Sequence, residues 1–231
     1  MLAVWCGEDV PYGEALRWQR LLVDARAEGA IDDVTLVLTH EPVYTAGRHA
    51  DLTANVLGTR DIPVVETDRG GDVTYHGPGQ LVCYPIRRLP HRKAVREHVA
   101  ALEQACVATA RDYGVEAVGS AGLPAGTPTG VWVGPAKLAA VGVRVDDGVT
   151  SHGLAFNVDP DLDHFGGIVP CGLSDRSVTS LAAEGVTADL HEVRHRLVDR
   201  LGEALGTPVL PARPDDLGLT LDHAHPIEEP S

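Results

Sequence analysis

Lysine is nearly missing from this chain: two residues, Lys93 and Lys137, stand against seventeen arginines. A protein that supplies its positive charge as arginine, yet keeps lysine in the apolar stretch Val133-Gly134-Pro135-Ala136-Lys137-Leu138-Ala139-Ala140-Val141, points to a position that needs a cation able to release its proton. Guanidinium cannot do that. Cysteine is sparse too. Its four residues, Cys6, Cys83, Cys106 and Cys171, form no close pairs, which argues against a disulfide framework or a CxxC metal knuckle and for a reducing compartment. No apolar run approaches the roughly 18 residues of a membrane-spanning helix. The start, Met1 to Glu8, has no basic flank followed by a long apolar region, so the expectation is a cytoplasmic protein with no membrane partner. Excess positive charge is absent as well: a formal net charge of −14 opposes nonspecific binding to the nucleic-acid backbone, and no nucleic-acid partner is expected. Neither a Walker phosphate loop nor GxGxxG occurs.

What is present falls into elements by periodicity. Tyr12 to Gly29 reads as an amphipathic helix with Pro11 near its first turn and Gly29 at its end. Val34 to Thr39 is apolar enough for a central strand, and His40 to Asp51 is a polar loop carrying Tyr44, Gly47 and Arg48. Further strands are expected at Ile62 to Glu66, Asp72 to Tyr75 and Gln80 to Ile86, the last two separated by the turn His76-Gly77-Pro78-Gly79. Lys93 to Tyr113 is a second helix, with Val95, Val99, Leu102 and Cys106 at helical spacing and Gly114 as its stop. Gly119 to Pro128, rich in Gly, Pro and Thr, is a loop. Lys137 to Val145 and Thr150 to Val158 form a hairpin around Asp146-Asp147-Gly148. Period-two alternation sets Lys137 on one buried face with Ala139, Val141, Val143 and Val145, unless a bulge intervenes. A third helix runs from about Asp189 to Leu205. Residues 211–231, acidic and carrying four prolines counted from Pro211 to Pro230, read as a loose tail, and no linker divides residues 1–210 ahead of it.

Several constellations can carry chemistry. Cys171 lies in Gly166-Gly167-Ile168-Val169-Pro170-Cys171-Gly172-Leu173, flanked by Pro and Gly where neither helix nor central strand is expected, as suits a nucleophile. A thiol and a lysine brought together titrate as a pair: burial favours the neutral amine, and a nearby ammonium favours the thiolate. Such a pair makes a thiolate for attack and later takes the proton of an incoming amine, which is acyl-transfer chemistry. A small buried cysteine and a lysine with its stem along apolar surface account for the same residues. In Arg69-Gly70-Gly71-Asp72-Val73-Thr74-Tyr75-His76, the two glycines allow close backbone approach to a ligand, with Arg69 and His76 to bind polar groups; a tight turn explains them equally. In His152-Gly153-Leu154-Ala155, the small residues leave room for an acyl chain, and His152 is either a general base or a hydrogen-bonded structural histidine.

Two further patterns are weaker. His191-Glu192-Val193-Arg194-His195 matches the HExxH zinc signature, but the apolar stripe Leu190, Val193, Leu197, Leu201 and Leu205 leaves both histidines on a solvated flank, so no metal is expected. Arg87, Arg88, Arg92, Lys93 and Arg96 form a basic cluster that is either a solvated helix start or a dock for an acidic carrier protein.

The runs RGGDVTYHGPGQLVCYPI, AKLAAVGVRV, SHGLAFNV and GGIVPCGLSDRSVTSL, in that order between Arg69 and Leu181, resemble the octanoyltransferase family, also called lipoate-protein ligase B. The resemblance implies a single α/β domain, a mixed β-sheet flanked by helices similar to the catalytic domain of biotin and lipoate ligases. It implies transfer of octanoyl from acyl carrier protein to a lysine of lipoyl domains, in 2-oxoacid dehydrogenase complexes and the glycine cleavage H protein, as the first step of endogenous lipoate assembly, with no cofactor. It further implies that Cys171 carries the acyl thioester and that Lys137 lowers its pKa and shuttles protons. Substrate contacts carried over by the resemblance are Arg69, Gly70, Gly71, Asp72, Val73, Thr74, Tyr75 and His76, then Ala140, Val141 and Gly142, then Gly153, Leu154 and Ala155. Rival readings are an ATP-dependent lipoate ligase, which needs no thiol, and a thiol-dependent acyl hydrolase, which releases free acid.

Overall fold

The most apolar segments set the centre of the molecule. In the computed structural model, which describes residues 1–59, 61–91, 93–168 and 177–218, the chain begins with β1 (Leu2–Trp5), α1 (Tyr12–Ala27) and β2 (Val34–Leu38). There follow β3 (Val43–Ala46), a short α2 (Leu52–Asn55), β4 (Val64–Glu66), β5 (Val73–His76), β6 (Gln80–Ile86) and α3 (Ala94–Asp112). The second half holds β7 (Val118–Gly119), β8 (Gly130–Val133), β9 (Ala136–Asp146), β10 (Val149–Asn157), α4 (Leu190–Ala204) and β11 (Leu210–Ala212). Every residue of β2 and β6 is buried, as strands covered on both faces require, and the two pair antiparallel from Val34↔Ile86 to Leu38↔Val82.

These two strands sit inside an eight-stranded mixed sheet ordered β11-β1-β2-β6-β10-β9-β8-β7, parallel across β11, β1 and β2 and antiparallel beyond. Alternation along β6 divides the core. Val82, Tyr84 and Ile86 pack with Ala15, Trp18 and Leu22 of α1. Leu81 and Cys83 face the other way, toward Leu102, Ala105 and Cys106 of α3 and Val193, Leu197 and Leu201 of α4. A second sheet, β4-β3-β5, has its own core around Tyr44, Val73, Tyr75, Phe165 and Ile168.

Local chemistry fixes the ends. Asp189 caps α4 by accepting from the amides of His191 (2.9 Å) and Glu192 (3.1 Å). The β9–β10 hairpin turns at Asp147 and Gly148, whose φ of 46° and 78° are the two positive values a two-residue hairpin needs. Arg88 donates to the carbonyls of Ala27 (2.6 Å) and Arg26 (3.4 Å), closing the C-terminus of α1, while Arg87 pairs with Asp33 at 3.2 Å. Two arginines of the basic cluster are therefore committed within the fold. Lys93 and Arg96 are exposed, and Arg92 lies outside the described residues.

Two expectations change, and one segment to which the periodicity assigned no element forms a strand. The polar loop expected from His40 to Asp51 contains the fully buried strand β3, central in the second sheet. Its β-branched and aromatic run Val43-Tyr44-Thr45 was masked by flanking turn residues. The segment after the Gly119 to Pro128 loop forms β8, which pairs with β9. The tail starts later than Pro211: Leu210–Ala212 pairs in parallel with β1, and Pro214–Leu217 forms a 3-10 turn. Residues 219–231 lie outside the described set.

Two buried histidines make stability pH-dependent. His40 is held neutral by burial, its pKa lowered to about 4, with Nδ1 bonded to the Val10 carbonyl at 2.8 Å and Nε2 to the Tyr84 hydroxyl at 2.8 Å. His98 is likewise lowered to about 4, by burial and then by Arg87, and neither ring nitrogen has a partner. Between pH 6.5 and 4 the unfolded chain binds more protons, so stability present above pH 6.5 is lost as pH falls, by up to about 3 kcal/mol per histidine. Urea midpoints should drop steeply from pH 7 to pH 4.5, and His98→Leu should flatten that slope. A midpoint constant over this range would contradict the assignment.

Candidate active site

The site grows from one irregularity between β8 and β9. Val131 pairs with Ala139, but the next residue, Trp132, pairs with Lys137, so Leu138 is an extra residue in β9. Leu138 and Ala139, consecutive in sequence, both enter the core beneath α3. Lys137 is thereby turned to the opposite face, with Trp132 and Gly130. Its Nζ lies 4.7 Å from the centroid of the Trp132 ring and 3.4 Å from the Thr129 carbonyl. The alternation that would have grouped Lys137 with Ala139 and Val141 is therefore broken, and the side chain borders a cavity instead of the α3 core. Lysine is buried there, at 8% exposure. Its backbone is clasped by the segment leading away from residue 176: the Lys137 amide donates to Ser177 O (2.9 Å), and Thr179 N donates to Lys137 O (3.0 Å).

Glycine is required at Gly130. Its φ is 146°, and a Cβ there would stand 2.6 Å from Ala139 O and 3.3 Å from Lys137 Cε. Glu103, buried on α3, accepts from Gly130 N at 2.7 Å and from the Ser120 hydroxyl at 2.6 Å, anchoring the loop whose Thr129 carbonyl meets Lys137.

The cavity holds about 510 Å³ and runs along β9 and β10 beneath the segment that leads into β5. Lys137, Arg69, Gly70, Gly71, Asp72, Val73, Thr74, His76, Ala140, Val141, Gly142, Gly153, Leu154 and Ala155 all border it. Tyr75 does not. Alternation along β5 turns Tyr75 into the core of the second sheet, against Phe165 and with its hydroxyl 2.8 Å from His164 Nδ1. Cys171 lies outside the described residues, which resume at Ser177, two residues before the Thr179 contact with Lys137.

Close packing holds the lid segment down. Gly70 N donates to Val143 O at 3.0 Å, and a Cβ on Gly142 would lie 2.8 Å from Gly70 O, so that approach needs a bare backbone. Arg69 points into the structure: its Nη2 donates to the Thr45 carbonyl (2.6 Å) and hydroxyl (2.9 Å) of β3, tying the β4–β5 connection to the middle of the second sheet. Asp68 reaches the β9–β10 hairpin through His152 Nε2 (2.8 Å) and Arg144 (3.1 Å). Burial works to raise the Asp68 pKa, but the His152 hydrogen bond and Arg144 hold it below the usual carboxylate value. His152 is lowered, chiefly by burial. Its hydrogen-bonded placement is the structural one of the two readings open from sequence.

Other cavity residues carry no motif of their own. Tyr12 comes from the buried face of α1, and its hydroxyl is raised to about 12 by burial. Gln80, Tyr84 and Asn157 come from strands whose inward face alternation alone does not distinguish as core or site. By contrast, the two histidines of the HExxH segment are exposed on α4, and among the described residues no three His, Cys, Asp or Glu side chains gather as a metal site.

Residues 11–202 match the family model of the lipoyl protein ligase A/B catalytic domain. The bi-partite lipoate protein ligase of Thermoplasma acidophilum superposes with a TM-score of 0.68 at 16% identity, over 92% of this chain and 86% of that one. Biotin protein ligase from Aquifex aeolicus gives 0.50 at 14% identity, over 89% and 69%. In sequence, the octanoyltransferase of Magnetococcus marinus is 49% identical over 189 residues, 81% of this chain and 86% of its own length. The chain belongs to the octanoyltransferase family.

Gly130→Ala should push Ala139 O and Lys137 apart and slow octanoyl transfer on the order of tenfold to a hundredfold while the folded circular dichroism spectrum is kept. A folded variant with full activity would show that the position of Lys137 does not depend on this contact.

Proposed function

We propose that this protein moves an octanoyl group from the phosphopantetheine thiol of acyl carrier protein to a lysine amine on lipoyl domains, by way of an octanoyl thioester on Cys171. The observation that carries the reading is a buried lysine amine brought by a bulge to the edge of a largely apolar cavity. Burying six methylenes of an octanoyl chain there contributes about 5 kcal/mol, enough to hold the chain for two successive reactions. The residues that border the cavity from Arg69 to Thr74, with Ala140 to Gly142 and Gly153 to Ala155, are the proposed contacts of that chain and its carbonyl, and His76 lines the same cavity as a contact of the substrates' polar groups. Tyr75 supports β5 from the other side.

In the first half-reaction the Cys171 thiolate attacks the donor thioester carbonyl, a C–S bond forms to Cys171, the pantetheine C–S bond breaks, and the departing sulfur takes its proton from the Lys137 ammonium, leaving a neutral amine. In the second, the lipoyl-domain amine attacks the acyl-enzyme, the amide forms, the Cys171 C–S bond breaks, and Lys137 receives the proton shed by nitrogen. Exchange between thioesters is nearly balanced and amide formation is downhill, so the sequence of steps needs no ATP. Acceptors of this chemistry are lipoyl domains of 2-oxoacid dehydrogenase complexes and the glycine cleavage H protein. An acidic carrier protein would meet the exposed Lys93 and Arg96 at the start of α3, one turn before the cavity residue Val99.

Intact mass spectrometry after incubation with octanoyl carrier protein should show one octanoyl group on the wild type, none on Cys171→Ala, and slow or no loading on Lys137→Ala. Addition of a lipoyl domain should then move the group to that domain. An adduct that persists without Cys171, or octanoate released in place of octanoyl domain, would overturn the reading.

A further inference from the structure

A chain of hydrogen bonds places a hydrogen on Nδ1 of His76. Asn157 Nδ2 donates to the Thr179 carbonyl at 2.9 Å; a carbonyl only accepts, so Asn157 Oδ1 is the atom that faces Gln80. Gln80 Nε2 donates to that oxygen at 2.9 Å and to the Tyr75 carbonyl at 3.2 Å, which leaves Gln80 Oε1 facing His76 Nδ1 at 2.7 Å. An amide oxygen only accepts, so Nδ1 carries the hydrogen. The ring is neutral, its pKa lowered well below 6.5 by burial and then by His40. His76 borders the cavity, and with Nδ1 committed, Nε2 is the nitrogen left to meet a ligand, as a lone pair and not a donor.

The relay is level with Lys137. Gln80 pairs with Asn157 across β6 and β10, the neighbouring Phe156 pairs with Ala139 across β10 and β9, and Thr179, where the relay starts, donates its own amide to Lys137 O at 3.0 Å. An acceptor at that end of the cavity has no use for an octanoyl thioester, whose carbonyl is itself an acceptor and whose chain is apolar. It would repel the oxyanion of a tetrahedral intermediate. The incoming amine of the second half-reaction, however, brings N–H donors. We propose that His76 Nε2 accepts a hydrogen bond from the acceptor amine and aims its lone pair at the acyl carbonyl, and that Gln80 and Asn157 are positioning residues that hold His76 in the required tautomer. This inference rests on the proposed two-step transfer.

The test has two parts. Nitrogen-15 NMR of the histidine side chains in the intact protein should show His76 with hydrogen on Nδ1 in the wild type, and a shift toward the Nε2–H form in Gln80→Leu. Single-turnover kinetics should then show the transfer from octanoyl-enzyme to lipoyl domain slowed in Gln80→Leu by about tenfold or more relative to the loading step. His76→Gln, whose amide reaches the Nε2 position, should keep more of the second step than His76→Leu. Hydrogen on Nε2 in the wild type, or a wild-type enzyme that loads normally while Gln80→Leu slows both steps equally, would overturn the proposal. A wild type that takes up no octanoyl group would instead overturn the two-step reading and leave the tautomer result standing.

Discussion

The site depends on a single extra residue in β9. Because Leu138 has no partner on β8, two successive side chains, Leu138 and Ala139, fill the core under α3, and Lys137 is displaced to the other face. A bulge is the means by which a strand changes the face of its side chains without leaving the sheet. Without it, the amine would lie in the α3 core, where a charge would be costly, and the cavity would lose its lysine. The neighbours of the bulge share its constraint. Gly130 has no room for a Cβ beside Ala139 O, and Glu103 stakes down the loop that supplies the carbonyl over Nζ.

Around that point the molecule is organised by close approaches between backbone segments. The Arg69 to Asp72 segment crosses β9 at Gly142 with Gly70 N bonded to Val143 O. Arg69 reaches back to β3 and Asp68 across to the β9–β10 hairpin, so the segment is tethered to both sheets. The cavity is thus walled by elements that are each held elsewhere, which is the condition for a preorganised site. Burial then sets its protonation: neutral imidazoles at His76 and His152 and un-ionised phenols at Tyr12 and Tyr84.

Much of this was legible in the residues. The long helices, the strands at Val34 and Gln80, and the hairpin turn at Asp147 and Gly148 announce themselves through periodicity and turn chemistry, and local rules govern them. Strand β3 did not, because Glu41, Pro42 and Gly47 bracket four residues whose burial comes only from a second sheet built around them. The bulge was legible as a possibility and not as a fact, since nothing in Lys137-Leu138-Ala139 differs from a regular strand; it is set by where β8 docks. Arg69 illustrates the same gap at the site. A charged residue beside two glycines suggests a ligand contact, yet its guanidinium spends hydrogen bonds on Thr45, a partner 24 positions away that no local pattern connects to it. Gln80 and Asn157 read as ordinary inward strand polar residues until the direction of each amide is worked out.

The outermost strand has an implication of its own. In β11, Leu210 N turns inward to Met1 O, so the next position, Pro211, stands where an amide would point to solvent, and proline has none to offer. The far margin is β7, a strand of two residues. A broad sheet with one rim deprived of a donor and the other cut short gives a foreign strand little to grip, so this protein can expose Leu210 at its border without inviting fibrous self-assembly.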